Sequence, residues 1–134
     1  MHSLGPRLVL LSISIAAGST GDVVVPNPFD EEGAPSARVA SFSFMPTTAD
    51  PLDGTNFATL TLRDLGDTTD LSEALSNETV AFAKGVGRSA ALKNESGVEV
   101  NAGGSVLVKK TEDGTGGDTV GTLLVRWLPS RGAI

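Results

Sequence analysis

Hydrophobic and polar positions alternate through much of this 134-residue chain, and a period of two marks a half-buried β-strand. Between Arg38 and Met45, Ala40, Phe42 and Phe44 fall on one face and Val39, Ser41 and Ser43 on the other. Pro46 stops that strand. Between Asn56 and Asp64, Ala58, Leu60 and Leu62 point inward while Thr59, Thr61 and Arg63 point outward. The polar loop ADPLDGTN joins the two, with Asp50 and Asp53 as turn formers. The stretch Arg38 to Gly66 thus offers one apolar face, one Ser/Thr-rich face and no reactive group.

Further strands follow the same rule. Val23 to Val25 is a short apolar run closed by Pro26-Asn27-Pro28, which rules out a continuing central strand. Glu78 to Lys84 sets Val80 and Phe82 on one face before Gly85 and Gly87 break it. Val98 and Val100 mark another strand after Asn94-Glu95-Ser96-Gly97, and SVLVKK follows the turn Asn101-Ala102-Gly103-Gly104. The tract Glu112 to Asp118, EDGTGGD, reads as a hairpin-type loop. The last strand, Val120 to Leu128, aligns Leu123, Val125 and Trp127. Between Leu65 and Ser76, Thr69 or Asp70 is placed to cap one helical turn through Leu75.

The N-terminal run LVLLSISIAAG after Arg7 admits two readings. It resembles a small signal peptide, with Ser14 and Ala16 before a cleavage site. As a strand, it puts Val9, Leu11, Ile13 and Ile15 on one face and Leu8, Leu10, Ser12 and Ser14 on the other. The alternation favours the strand, and the run is too short to span a bilayer as a helix.

About eight short strands linked by Gly/Pro/Asp turns predict an all-β fold: an antiparallel β-sandwich, jelly-roll-like. The length predicts a single β-sandwich domain over residues 1–134, with 1–36 as an extended or partner-contacting N-terminal region. The acidic stretch DEEGAPS, Asp30 to Ser36, is the expected partner-facing arm. Phe42, Phe44, Leu60, Leu62, Phe82 and Trp127 are the expected core, with the Trp127 indole N–H needing a partner.

Composition narrows the chemistry. There is no cysteine and one histidine, His2. Ser–His–Asp and Cys–His sites therefore cannot be built within one chain except through that terminal residue, and His/Cys zinc sites are excluded. Gly114-Thr115-Gly116-Gly117 lacks the following Lys of a phosphate loop. Carboxylates recur at Asp64, Asp67 and Asp70, and again at Glu112, Asp113 and Asp118. Calcium uses such oxygens, but neither group matches an EF-hand, and Asp also starts turns. A glycosidase-like carboxylate pair would want aromatic sugar platforms, and aromatic residues make up only 4% of the chain. A net charge of −6 disfavours nucleic acid or an anionic membrane as partner. The expectation is a non-enzyme with no catalytic, cofactor-binding or metal residues and no cofactor.

FSFMPTTADPLDGTNFATLTLRDLG resembles a module common in small β-proteins encoded among the head genes of tailed bacteriophages. The likeness rests on Met45-Pro46, Gly54-Thr55-Asn56 and Leu62 to Gly66, then on Val100 to Leu107, Glu112 to Gly117 and Gly121 to Val125. It spans roughly Arg38 to Leu128 and departs at Gly104, where Asp is the more usual residue, and over the N-terminal third. The resemblance implies a virion structural protein on the capsid outer surface: a decoration (cement) protein or head-fibre subunit. Its partners would be the major capsid protein, whose subunits it bridges, and copies of itself as a homo-oligomer. The rival is a receptor- or glycan-binding module of a phage fibre or a secreted adhesin. Low aromatic content weighs against it. The ADPLDGTN loop is an expected contact edge, and the N-terminal segment and the DEEGAPS arm are expected to make intermolecular contacts.

Overall fold

A computed structural model describes residues 6–29, 36–93, 98–101 and 104–129. Among these there is no helix and there are nine strands: β1 (Arg7–Ile15), β2 (Gly21–Pro26), β3 (Ser36–Pro46), β4 (Phe57–Asp64), β5 (Leu75–Ser76), β6 (Arg88–Ala90), β7 (Val98–Asn101), β8 (Ser105–Asp113) and β9 (Thr119–Pro129). The first sheet runs β1-β9-β3-β6, with β7 also beside β3, and the second runs β2-β8-β4-β5. All pairings are antiparallel.

The pairing is nested. β4 pairs β5, β3 pairs β6, β2 pairs β8 and β1 pairs β9. The chain is thus one long antiparallel ribbon folded back between β4 and β5. Rolling that ribbon brings β9 against β3 and β8 against β4, which closes two four-membered paths. This is the jelly-roll form of the β-sandwich. The β7 strand is an addition in the connection from β6 to β8.

The core lies between the two inner faces. Trp127, Phe42, Phe44, Leu60, Leu62 and Phe82 are all buried, as their strand positions predict. Phe44 and Phe82 meet edge to face, with centroids 5.3 Å apart. Phe29 joins them at the end of the sandwich. The Asn27 Oδ1 accepts from the Phe29 backbone N–H at 2.8 Å, and the Arg7 guanidinium stacks 4.6 Å from the ring. Each such side chain contributes roughly 1.5–3 kcal/mol by leaving water.

Four sequence expectations are corrected. First, Val39 belongs to the core and Ala40 does not align with Phe42. Val39 faces Trp127 and Ser41 faces Arg126, so β3 carries one extra residue there. A bulge reverses the inward and outward parity downstream of it, so Ala37 and Val39 are buried on one side of it and Phe42 and Phe44 on the other. Second, Glu78 to Lys84 is no strand. Phe82 is buried while Val80 is 53% exposed, and the segment is held by one bridge from Asp50 to Phe82 and by Arg88, whose Nη1 donates to Ser76 O and Val80 O.

Third, Thr69 and Asp70 cap no helical turn. The Leu71 N–H donates to Leu62 O, Glu73 N–H to Ala91 O and Lys93 N–H to Leu71 O, so the backbone there is committed to cross-chain bridges. Fourth, EDGTGGD joins strands of different sheets and is a corner, not a hairpin. Gly114 sits at φ 61°, and a Cβ on Gly116 would lie 3.0 Å from Ala58 N. Glycine is what lets the corner press against β4. His2, the turn Asn94 to Gly97 and nearly all of DEEGAPS lie outside the described residues.

Candidate functional site

The alternating N-terminal run forms β1, the outer strand of the first sheet. Its inward residues Val9, Leu11, Ile13 and Ile15 pack on the core, and Leu8, Leu10, Ser12 and Ser14 are exposed. Register then fixes what the outer face presents. One row crosses Leu8, Arg126 and Ser41; the next crosses Leu10, Leu124, Ser43 and Ser89; a third crosses Ser12, Thr122 and Met45; a fourth joins Ser14 to Val120. Ser43 and Ser89 share a hydrogen bond at 2.8 Å. Arg126 is the single charge in these rows, although the chain carries −6 overall. Leu8 and Leu10 are 54% and 57% exposed, and Met45 is at the surface too. Over these rows the face consists of hydroxyls and aliphatics, and the next outward row, Leu128–Arg38–Glu99, is ionic.

A charged cluster sits at the end of the sandwich where β1 finishes. Val106, Val108, Lys110 and Glu112 alternate toward the interior along β8. Lys110 is fully buried and its Nζ donates to Ala16 O at 3.2 Å, to Ser19 O at 2.6 Å and to Glu112 Oε1. The Gly18 N–H donates to Glu112 as well, and the Ala17 N–H donates to Asp118 at 2.8 Å. Burial pushes the Glu112 carboxyl upward, but the Lys110 hydrogen bond and the Gly18 and Gly116 N–H groups outweigh it and hold the carboxyl below its ordinary value. These contacts staple the β1–β2 turn to β8 and to the corner after it. All three ammonium protons are in use, so the lysine is a structural pin.

Asp50 lies beside this cluster. It is buried, its Oδ2 has no hydrogen-bond partner, and desolvation raises its pKa against the attraction of Lys110. Asp53 is a turn former as expected: it accepts from the Thr55 and Asn56 N–H groups at 2.9 and 3.0 Å, which lowers its pKa. Asn77, fully buried, clamps the same loop by accepting from Ala58 N–H and donating to Pro51 O. ADPLDGTN is therefore a tightly held loop, with Leu52 exposed at its tip.

The other acidic group does not converge on one point. The Asp64 carboxylate collects Thr69 N–H, Thr68 N–H and Thr68 Oγ1–H. Asp67, at φ 57°, bridges Arg63 and Lys109, each at 2.6 Å. Asp70 Oδ1 lies 2.8 Å from Arg63 Nε, at an angle too poor for a hydrogen bond. Among the described residues no three His, Cys, Asp or Glu side chains gather as a metal site. Thr61, Arg63, Asp70, Lys109 and Thr111 line an open depression of about 290 Å³ on the outer face of the second sheet.

No family model matches this chain, and no curated protein matches it. Among solved structures, a Bacillus endospore-appendage protein from a family of disulfide-linked pili is similar at TM-score 0.40 and 16% identity, over 93% of this chain and 88% of that one. A chain of the infectious bursal disease virus Gx strain is similar at TM-score 0.31 and 11% identity. That match covers 98% of this chain and 35% of the viral one. Likenesses this distant decide no function.

Proposed function

We propose that this chain is a structural coat protein of a virion, which decorates the capsid outer surface and bridges major capsid protein subunits. The observation that carries the reading is the outer face of the first sheet over β1, β9 and the second half of β3, where four adjacent rows are aliphatic and hydroxylic with one charge, and where the ionic row Leu128–Arg38–Glu99 forms the margin. A solvent-only face on an acidic protein has no reason to avoid carboxylates, whereas a protein-contact core is depleted of charge. Two further points support it by analogy of fold and motif. Jelly rolls recur in viral capsid domains, although fold alone does not assign function. The turns named in the bacteriophage resemblance also occupy element ends here: Met45-Pro46 closes β3 and Gly54-Thr55-Asn56 precedes β4. The action is mechanical. Each copy adds contact area across a subunit boundary, and repetition over a symmetric shell adds avidity.

The second reading, a receptor- or glycan-binding module, is favoured by the polar depression between Arg63 and Lys109. It has no aromatic floor.

Cosedimentation with expanded empty shells of tailed phages tests the first reading. The wild-type chain is expected to pellet with shells at saturable stoichiometry. The folded variant Leu124→Glu with Met45→Glu is expected to stay in the supernatant. Undiminished binding by that variant removes the first sheet as the contact face. Absence of shell binding together with selective glycan capture favours the second reading.

A further inference from the structure

Of the four sheet edges, three are blunted. β5 has two residues, the edge beside β3 is split between β6 with three and β7 with four including Glu99, and β2 carries Asp22 and ends in Pro26. Short strands, charges and prolines are the ordinary devices that keep edges from pairing. β1 is long, and its one charge, Arg7, stands at its start with the guanidinium turned onto Phe29 and Pro28 O. It runs nine residues, and from Leu8 to Ile15 it has no charge, no proline and no glycine. Its register with β9 is unbroken from Arg7 to Ile15, so no bulge twists it away.

We propose that the edge of β1 to which no described strand is paired joins antiparallel with β1 of a second copy, making two first sheets one continuous sheet about a two-fold axis at Leu11. In that register Leu10 faces Ser12 of the other copy, Val9 faces Ile13 and Leu8 faces Ser14. No like charges meet, and the half-exposed Leu8 and Leu10 gain neighbours on the outer face.

Charge selects a second copy as the occupant. The strand's surroundings are bipolar. Its first end lies beside Arg126, through the pair Leu8–Arg126. Its last end lies beside Asp118, which accepts from the Ala17 N–H in the turn that follows β1. Antiparallel pairing sets the basic end of each copy against the acidic end of the other, twice. Adjacent strands are about 4.8 Å apart, so Arg126 of one copy and Asp118 of the other lie three spacings, about 14 Å, apart, and their attraction orients the two strands most strongly at low salt. A parallel pairing would instead stack basic on basic and acid on acid. A seam of one strand pair is small, so the dimer is expected to be weak and to form toward the top of a concentration series.

Sedimentation of the full chain over a concentration series tests this, without any capsid present. Wild type is expected to shift from monomer to dimer. Leu10→Lys with Ser12→Lys puts lysines directly opposite lysines, and Leu10→Glu with Ser12→Glu does the same with carboxylates. Leu10 and Ser12 side chains point to solvent, so both variants are expected to keep the native circular dichroism, to be monomeric alone, and to dimerise when mixed. A cysteine pair provides a second measurement, since the chain has no native cysteine. Under mild oxidant, Leu10→Cys mixed with Ser12→Cys is expected to give the mixed disulfide dimer in excess over either self-pair. The proposal is overturned if wild type stays monomeric at every concentration, if the lysine variant dimerises like wild type, or if the cysteines pair without that preference. Those outcomes leave shell binding to its own test.

Discussion

Lys110 and Glu112 stand two residues apart on β8 and turn the same way, into the sandwich, where they form an ion pair with side-chain exposures of 0% and 5%. Two residues apart on a strand means one face, and here that face is the core. The pair survives burial because its remaining valences are filled by Ala16 O, Ser19 O and Gly18 N–H. Removing one partner leaves the other charged and dry. Lys110→Met is therefore expected to cost about 3–5 kcal/mol. Lys110→Met with Glu112→Leu is expected to cost clearly less than the sum of the single changes, because no orphaned charge remains. Urea denaturation of the four proteins in a double-mutant cycle measures the coupling. Additive losses would show that the pair acts as two independent groups.

The acidic residues predict the pH response, with opposite signs. Asp53, Asp64 and Asp67 have pKa values lowered from 3.8, and Glu112 from 4.5. The causes are the Asn56 and Thr55 N–H groups on Asp53, the Thr69 N–H and Thr68 on Asp64, Lys109 on Asp67, and Lys110 on Glu112 against its burial. A lowered folded pKa gives stability that is full above the unfolded value and is lost as pH falls through the folded one. Asp50, raised above 3.8 by desolvation, works the other way. It favours the fold below pH 3.8 and loses that contribution as pH rises through its folded pKa. Thermal melts from pH 7 to pH 3 are expected to show Tm falling below about pH 5. Asp50→Asn is expected to raise Tm at pH 7 and to leave it little changed at pH 3. A Tm that holds constant to pH 3, or an Asp50→Asn protein less stable at pH 7, would contradict this balance.

Gly121 of β9 lies opposite Pro46 at the end of β3. A Cβ there would lie 2.4 Å from Met45 O and 2.7 Å from the Phe44 ring. Backbone cannot yield cheaply, so Gly121→Ala is expected to destabilise by about 1–3 kcal/mol. Gly87 is the internal control, because a Cβ there meets nothing within 4 Å. Gly87→Ala is expected within about 0.5 kcal/mol of wild type. Midpoints of urea unfolding at constant slope decide it. Equal midpoints for the two variants would mean that β3 and β9 can separate freely at that point.

Much of this fold is legible in the sequence where period two runs uninterrupted. β4, β9 and β1 each show their buried and exposed faces in the order of their residues. The failures have physical causes. At Ala40 a single extra residue reverses parity without altering composition, so Val39 looks like an outward residue. At Phe82 one aromatic anchors an irregular segment, and a lone anchor mimics a strand. EDGTGGD looks the same whether it returns a strand to its neighbour or carries it across to the other sheet, because tight hairpins and corners both draw on glycine. Lys110 is hidden because lysine ordinarily faces water. One signal for it was present: Val106, Val108 and Lys110 share a parity. The candidate surface was half legible. The Ser/Thr and leucine rows can be read from β1 and β3, but which strands lie side by side, and which strand is left at an edge, depends on the nested pairing.

Trp127 gives the most direct test of the core. It is fully buried and faces Val39 across the β3 bulge, and its Nε1–H has no hydrogen-bond partner. An unpartnered buried donor carries a desolvation cost of about 1–3 kcal/mol. Trp127→Phe removes that donor while keeping an aromatic ring. The lost volume and the relieved N–H oppose each other, and the net change is expected to stay within about 1.5 kcal/mol. Trp127→Ala keeps neither ring nor packing and is expected to cost about 3–5 kcal/mol. With one tryptophan and no tyrosine, native fluorescence reports this site alone, so a blue-shifted emission that moves red on unfolding is expected for the wild type. Circular dichroism melts compare the variants. A Trp127→Phe loss as large as that of Trp127→Ala would mean that the indole N–H is satisfied in solution and that the ring edge, rather than its bulk, holds the bulge in place.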